Sequence, residues 1–299
     1  MFSQPHILVG TDFSPSSDKA IRLAERLRQK CNGHLHLVYV HQYPEEWNWM
    51  TSSMINQHYQ SNYKESIKKE LATRLYEQVK KCEVRCTQDV LFGDPYIVLT
   101  ERISKNGMDV LFLGHQGISA HPWQLGGLVS KMASSCTVPL FITKKDGEVN
   151  RLAGLLDPTD LPEKIFRVSE ELAFLFSSEL QFLSIIPDYY TERLGIGSVF
   201  PNARFLLSKI EKLEIQKNIR KLIEDKVAPK SSAIVKVLFD DQTRLSDTLA
   251  KDLEAERIDF AVTLRHKKGK IEKFLLGSVS RGLMESFSGN LLILPPEEK

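Results

Sequence analysis

One pattern occurs in both halves of the chain and restricts its fold more than any other feature: an apolar strand, a loop with glycines, a helix and a second strand. In the first half, residues 109–114 (DVLFLG) predict a strand buried on both faces. A helix is predicted to begin at Gly127, and residues 138–143 (VPLFIT) predict the second strand. Glycines at both ends of such a loop let backbone N–H groups approach an anion, but glycines also occur where a chain only turns.

The second half repeats this order. Residues 258–264 (IDFAVTL) predict a strand, a helix follows Gly277, and residues 290–295 (NLLILP) predict the closing strand. Each half also begins with an apolar strand that finishes on an aspartate, Asp12 in the first half and Asp157 in the second. The sequence therefore predicts two tandem domains, at residues 1–146 and 147–299.

Predicted strands and helices alternate throughout both halves. Alternation implies parallel pairing with right-handed crossovers, which predicts an α/β fold of two tandem doubly wound, Rossmann-like sheets of five strands each. In such sheets a ligand binds beyond the carboxyl ends of the strands, where the strand order reverses. Asp12 and Gly114 both follow predicted strands and are expected to meet there.

Two local expectations concern helix boundaries. The first helix is expected to be capped by Ser16, Ser17 or Asp18, since short polar side chains accept hydrogen bonds from the first free N–H groups of a helix. In the second half, residues 187–201 are predicted to be a loop and residues 203–227 a single helix.

Composition narrows the class of protein. The chain has 299 residues, 42% of them hydrophobic, and a formal net charge of +2, which gives no sign of a nucleic-acid-binding surface. No apolar run approaches the ~20 residues of a membrane span, and no signal peptide is recognised, so we expect a cytoplasmic protein without membrane contacts. The four cysteines show no paired spacing and are expected to be reduced.

Two further clusters have more than one interpretation. Cys31, His34, His36 and His41 have a spacing that suggests a metal site, but a packed strand with imidazoles at its ends explains them as well. The basic run at residues 265–270 (RHKKGK) is either a solvated face or an anion-binding segment, because it occupies the place of the second half's missing loop glycines.

Three segments together resemble the universal stress protein family. These are residues 7–14 (ILVGTDFS), the turn at residues 93–95 (GDP), and the spacing Gly114-x2-Gly117-x9-Gly127. The resemblance extends over nearly the whole chain, as two family domains in tandem. It implies that the closing strands of the two halves pair, giving an intramolecular pseudo-dimer, and leaves a further homo-oligomer open.

In nucleotide-binding members of this family, ATP lies at the switch point beside a G-x2-G-x9-G motif that is followed by Ser or Thr. The resemblance implies the same cofactor here, or another anionic small molecule. The residues implied for the first half are Asp12 on the ribose or base side, Val40 beside the adenine, Gly114 and Gly117 in the loop, and Gly127, Val129 and Ser130 at the phosphates.

Each half departs from the family motif at a different point. In the first half, Leu128 stands where the motif has a hydroxyl. In the second half the two earlier glycines are replaced by Leu264 and Lys267, so the first half is expected to be the better nucleotide site and the second to prefer a smaller anion. The candidate binding residues of the second half are Asp157, Lys267, Gly277, Ser278 and Ser280.

Signatures of catalysis are missing from the sequence: there is no Gly-x-Ser-x-Gly elbow and no Walker A motif. The leading hypothesis is therefore a non-enzymatic stress-response protein that binds an adenine nucleotide and changes its partner contacts with occupancy. A slow ATP hydrolase or phosphotransferase and an unliganded scaffold remain as alternatives.

Overall fold

A computed structural model describes residues 2–43, 54–117, 126–157, 161–187, 189–193, 202–227, 232–240, 245–265 and 278–296. By its contacts the chain divides into two compact units. Unit 1 consists mainly of Met1–Gly147 together with the C-terminal segment Asn290–Pro295, and unit 2 mainly of Glu148–His266 with Leu276–Gly289.

The first half alternates strands and helices. Its elements are β1 (His6–Thr11), α1 (Pro15–Cys31), β2 (His34–His41), α2 (Met54–Cys82), β3 (Thr87–Phe92), α3 (Pro95–Asn106), β4 (Val110–Gly114), α4 (Gly127–Ser135) and β5 (Leu140–Thr143).

The second half follows a similar order with an added hairpin. Its elements are β6 (Arg151–Leu156), α5 (Glu163–Phe176), β7 (Glu179–Pro187), β8 (Tyr189–Arg193), β9 (Asn202–Leu206), α6 (Lys209–Glu224), β10 (Ile234–Asp240), α7 (Leu245–Ala255), β11 (Phe260–Leu264), α8 (Ser278–Ser286) and β12 (Asn290–Leu294).

In unit 1 the strands lie in the order β12-β5-β4-β1-β2-β3. The pairs β4–β5, β1–β4, β1–β2 and β2–β3 are parallel, so the chain runs outward from β1 to β3 and then returns to the other side of β1. Helices α1 and α2 contact each other, as do α3 and α4, which places one pair on each face of the sheet. This is the predicted doubly wound arrangement, and the strand order reverses between β1 and β4.

The central strands of unit 1 are buried on both faces, as their continuous apolar sequences predict. Ile7, Leu8 and Val9 of β1 have no exposed surface. The rings of Phe112 in β4 and Phe141 in β5 stack with their centroids 4.1 Å apart. The core of unit 1 thus lies on β1 and β4, the strands whose carboxyl ends flank the switch point.

Helix α1 begins earlier than expected. Its N-cap is Ser14, whose side chain accepts a hydrogen bond from the backbone N–H of Ser17 at 3.1 Å. Pro15 occupies the first turn, where the missing N–H of proline costs nothing and its fixed φ suits the helix. The expected caps at Ser16, Ser17 or Asp18 are therefore wrong, because they lie inside the helix.

The predicted pairing of the two closing strands is confirmed. Strand β12 runs antiparallel to β5, with Leu291 opposite Ile142 and Ile293 opposite Leu140. The side-chain oxygen of Asn290 accepts hydrogen bonds from the backbone N–H groups of Lys144 and Lys145, at 2.9 and 3.0 Å. The apolar edge of β5 is thereby covered rather than open to another chain.

Unit 2 contains the parallel strand order β10-β7-β6-β11. The single helix predicted for residues 203–227, and the loop before it, are wrong. Strands β8 and β9 instead pair antiparallel, and α6 begins only at Lys209. Its start is fixed by a capping box, in which Ser208 accepts from the N–H of Glu211 and the Glu211 carboxylate accepts from the N–H of Ser208.

The predicted fold class, two tandem doubly wound α/β repeats, is thus confirmed. Across the described part of the chain, no helix has both the length and the apolar character needed to span a membrane.

Candidate functional site

A cavity of about 780 Å³ opens at the carboxyl ends of the central strands of unit 1. Its walls come from residues 10–12 at the end of β1, residues 38–42 at the end of β2, residues 113–114 at the end of β4, and residues 126–129 at the start of α4. This is where the strand order reverses, the place at which open α/β sheets bind ligands. The volume lies within the range of roughly 300–1,000 Å³ that small-molecule sites occupy.

One part of the cavity wall is apolar. Val38 and Val40 of β2 contribute to it, together with Pro95 and Leu99 at the start of α3 and Leu113 of β4. Leu99 and Leu113 are almost fully buried, with 1% and 3% of their surfaces exposed. A wall of this kind suits a flat, weakly polar ring such as a nucleobase.

A carboxylate, that of Asp12 after β1, also lines the cavity. The Oδ1 atom of Asp12 accepts a hydrogen bond from the backbone N–H of Ser14 at 3.0 Å, which fixes the side chain in a tight turn. A Cβ atom placed on Gly117 would lie 3.0 Å from Asp12 Oδ2. The structure therefore brings Asp12 and Gly117 together, although more than a hundred residues separate them in sequence.

The three motif glycines have different local surroundings. A Cβ on Gly114 would lie 2.6 Å from the carbonyl carbon of Ser16 and 2.7 Å from the backbone nitrogen of Ser17. Close packing against the first turn of α1 is thus sufficient to explain glycine at this position. At Gly127, by contrast, no described atom lies within 4 Å of the Cβ position, so packing does not require glycine there.

The start of α4 is held at the cavity by backbone hydrogen bonds. The N–H of Gly126 donates to the carbonyl of His115 at 3.2 Å, and the N–H of His115 donates to the carbonyl of Thr143 at 3.0 Å. Gly126 is the N-cap and makes no side-chain capping bond. Because the first N–H groups of a helix have no partner within it, the backbone at residues 127–129 is suited to receive an anion.

Of the two α4 residues predicted to contact the phosphates, one lines the cavity and the other does not. Val129 lines the cavity and is 4% exposed. Ser130 is exposed and is not part of the cavity wall, and its backbone N–H already donates to the Gly126 carbonyl at 3.1 Å. The structure therefore brings together Asp12, Val40, Gly114, Gly117, Gly127 and Val129, and leaves out Ser130.

The imidazole of His115 is uncharged near neutral pH. Burial, together with the nearby charges of Lys144 and Lys19, lowers its pKa from 6.5 to about 4. His115 thus contributes to this site through its backbone rather than through a positive side chain.

Beneath the cavity lies a buried polar network that the sequence motifs do not reveal. The Thr11 hydroxyl, at the cavity wall, donates to Gln78 Oε1 at 2.9 Å and lies 3.0 Å from the Ser17 hydroxyl. The amide nitrogen of Gln78 donates to Asp18 Oδ1 at 2.6 Å, and Lys81 donates to Asp18 Oδ2 at the same distance. Helix α2 is in this way tied to the end of β1.

The candidate residues of the second half are less fully described. Ser280 is 4% exposed and its hydroxyl lies 3.0 Å from that of Thr263, so it takes part in an internal contact. Asp157 follows β6 and is half-buried. Ser278 is the first residue of α8. Lys267 and Gly277 lie outside the described residues, as does nearly all of the basic run at residues 265–270.

The cysteine and histidine residues that suggested a metal site are engaged in other contacts, and His34 and His36 both stack on the ring of His6. Cys31 is buried and its thiol donates to the Leu27 carbonyl. His36 lies 3.1 Å from a ring nitrogen of His6, whereas His41 contacts the Tyr63 hydroxyl. Across the described ranges, no group of three or more histidine, cysteine, aspartate or glutamate residues has a metal-binding arrangement.

The sequence of the first half matches a family model. The match, to the universal stress protein family, covers residues 5–144, which include the cavity. No curated relative was found by sequence comparison.

Solved structures resemble the chain over almost its full length. A universal stress protein from Archaeoglobus fulgidus superimposes with a TM-score of 0.67 at 13% identity, covering 98% of both chains. A protein of unknown function from Pseudomonas aeruginosa gives a TM-score of 0.65 at 11% identity, covering 99% of this chain and 94% of the other. At such identities the likeness shows the fold alone.

Two findings agree on the first repeat: the family model covers it, and its fold has the doubly wound topology with a cavity at the switch point. Residues 5–144 thus form a domain of the universal stress protein family.

Proposed function

We propose that unit 1 binds an adenine nucleotide and that the protein acts as a non-enzymatic stress-response module. The observation that supports this most strongly is the cavity at the switch point, where an apolar wall, a carboxylate and a helix N-terminus surround one space. Each of these three features suits one part of a nucleotide. The ATP implied by the sequence resemblance is one member of this ligand class.

The base would lie against the apolar wall formed by Val40, Leu99 and Leu113. Asp12 would accept hydrogen bonds from ribose hydroxyls, because a carboxylate can accept from two O–H groups at once. The phosphate would lie at the start of α4, where free backbone N–H groups and the helix dipole favour negative charge. Occupancy would change the surface that unit 1 offers to partner proteins.

Calorimetric titration of the full chain with ATP and AMP tests the binding site. Gly117→Lys is expected to abolish binding. Its Cβ atom would lie 3.0 Å from the Asp12 carboxylate, and the rest of the side chain would occupy space at the cavity that the ligand needs. Ser104→Lys on the exposed surface of α3 adds the same charge away from the cavity and is the matched control. Unchanged binding by Gly117→Lys would show that the nucleotide site lies elsewhere.

Incubation with labelled ATP separates binding from catalysis. If unit 1 only binds nucleotide, the labelled ATP should be recovered intact after single-turnover incubation with excess protein. Release of ADP that is lost in Gly117→Lys but kept in Ser104→Lys would show instead that unit 1 is a hydrolase.

For the second half of the sequence we propose a different ligand, a smaller anion held by Lys267 and its neighbouring lysines. The sequence supports this, since lysine replaces a loop glycine there. Binding of inorganic phosphate should then weaken as salt is added, because salt screens exposed charges. We also retain residues 1–146 and 147–299 as the proposed sequence domains.

A further inference from the structure

Helix α2 contacts the residues on both sides of Asp12. Gln78 accepts a hydrogen bond at 2.9 Å from the hydroxyl of Thr11, the residue before Asp12. Arg74 lies one turn earlier on the same side of α2, and its guanidinium lies 4.5 Å from the centre of the Phe13 ring, on the residue after Asp12. Because Thr11 and Asp12 both line the cavity, one face of one helix holds the sequence neighbours of the cavity carboxylate.

The backbone of Phe13 has an unusual conformation. Its φ angle is 65°, in the left-handed region that a bulky residue rarely adopts. Such conformations are unfavourable, persist only where the surroundings enforce them, and cluster at ligand sites. The N–H of Phe13 donates to the Thr11 hydroxyl at 3.1 Å, and the N–H of Ser14 donates to Asp12 Oδ1 at 3.0 Å. The turn that orients the Asp12 carboxylate therefore includes a strained residue.

Two side chains hold the ring of this strained residue. The Tyr39 ring stacks on that of Phe13, with 4.6 Å between the centroids and 25° between the planes. Arg74 makes a cation–π contact with the same ring, although Arg74 is itself exposed to solvent. Tyr39 lines the cavity, and the charge of Arg74 acts there: burial raises the pKa of Tyr39, and the Arg74 charge opposes that rise.

We propose that Arg74 and Gln78 are positioning residues of the nucleotide site, which hold the strained turn at Phe13 and thereby orient Asp12 towards the ribose. The inference rests on the proposed function, since Asp12 acts there on ribose hydroxyls. Neither residue has to touch the ligand. By linkage, if these contacts of α2 strengthen ligand binding, the ligand strengthens the contacts in turn, so α2 responds to occupancy of the cavity.

Titration of the full chain with adenosine and adenine tests the role of Arg74. Arg74→Leu should weaken adenosine binding about fivefold, the upper end of the effect of a cation–π contact at an exposed site. Adenine binding should change by less than about twofold, because adenine has no ribose for Asp12 to contact. Lys80→Leu removes a positive charge from another exposed position of α2 and is the matched control.

Comparison of adenosine with AMP separates positioning from direct attraction of charge. Positioning through Asp12 predicts the same relative loss of affinity for both compounds in Arg74→Leu, because both contain the ribose. A guanidinium that attracted the phosphate directly would give a larger loss for AMP than for adenosine. That result would overturn the proposal.

A double-mutant cycle tests whether Arg74 acts through Asp12. In Asp12→Ala no carboxylate remains to be oriented, so adding Arg74→Leu should weaken adenosine binding further by less than about twofold. Independent, additive losses from the two substitutions would contradict a role through Asp12.

Gln78→Leu removes the contact on the other side of Asp12 and should show the same pattern as Arg74→Leu, a loss of affinity for adenosine but not for adenine. Circular dichroism checks that this variant is folded under the conditions of the titration. An equal loss for both compounds in the folded variant would show that Gln78 has only a structural role.

Hydrogen–deuterium exchange measures the reciprocal effect on α2. Saturating adenosine should slow exchange in peptides that contain residues 74–82, and should do so less in Arg74→Leu. Slower exchange at residues 38–42 of the cavity wall, without any change at residues 74–82, would overturn the coupling of α2 to the site.

The outcomes for the two proposals are distinct. If the unmodified protein binds adenosine and AMP, and Arg74→Leu binds them equally well, unit 1 is a nucleotide site but the positioning role is wrong. If the unmodified protein binds none of the three compounds, the proposed function itself fails and this inference fails with it.

Discussion

Replacing Gly114 by alanine is expected to destabilise unit 1 although it adds only one methyl group. The new Cβ would lie 2.6 Å from the carbonyl carbon of Ser16, whereas ordinary contacts begin near 3.4 Å. The opposing atoms belong to the backbone of the first turn of α1, so no flexible side chain can move aside. Overpacking of this kind typically costs about 1–3 kcal/mol, and we expect Gly114→Ala to lie in the upper part of that range.

Gly127→Ala is the matched control, and it is expected to raise the stability of the protein rather than lower it. Gly127 is the first residue of α4 and no described atom lies within 4 Å of its Cβ position. Alanine there should stabilise the protein by about 0.4–1 kcal/mol, because it reduces the freedom of the unfolded chain.

Urea denaturation of the full chain, followed by circular dichroism and tryptophan fluorescence, measures both variants. All three tryptophans, Trp47, Trp49 and Trp123, belong to the first half, so fluorescence reports selectively on unit 1. If Gly114→Ala is as stable as Gly127→Ala, the packing explanation for the first motif glycine is wrong.

Two further predictions concern buried polar groups. Burial, with the charges of Lys144 and Lys19, holds the pKa of His115 at about 4, below its ordinary value of 6.5, so between these pH values the unfolded chain binds a proton at His115 that the folded state does not. The free energy of unfolding should therefore fall as the pH drops from 6.5 towards 4, by about 1–2 kcal/mol after allowance for partial solvent exposure. In His115→Gln, the free energy of unfolding should depend less on pH over that range. Gln78→Leu removes the buried hydrogen bonds that Gln78 makes with the Thr11 hydroxyl and with Asp18, and should cost about 1–3 kcal/mol in urea denaturation. Thr73→Ala on an exposed part of the same helix should change stability by less than about 0.5 kcal/mol. An equal effect of the two α2 substitutions would show that the polar network contributes little.

The sequence predicted the fold of unit 1 well because its signals there are local and strong. Continuous apolar runs marked β4 and β5, and aspartate or glycine at strand ends marked the edge where the cavity lies. The pairing of β5 with β12 was implied by the family resemblance, and it agrees with the need to cover an apolar edge.

Other features depend on contacts that have no local signal. The role of Gln78 requires α2 to lie against the end of β1, and nothing in the sequence around Gln78 indicates that contact. The start of α6 does have a local signal, the capping box of Ser208 and Glu211, but it lies within an otherwise polar segment. The packing role of Gly114 became visible only from the distance to the α1 backbone, since a motif glycine has the same appearance whether a ligand or a helix lies beside it.

Hydrogen–deuterium exchange of the full chain, with and without saturating AMP, tests the central claim most directly. Nucleotide binding in unit 1 predicts slower exchange in peptides that contain residues 38–42 and 126–129, which form the cavity wall, and unchanged exchange in peptides from β6, β7 and β11 of unit 2. Protection confined to unit 2, or slower exchange that persists in Gly117→Lys, would contradict the assignment of the nucleotide site to the first repeat.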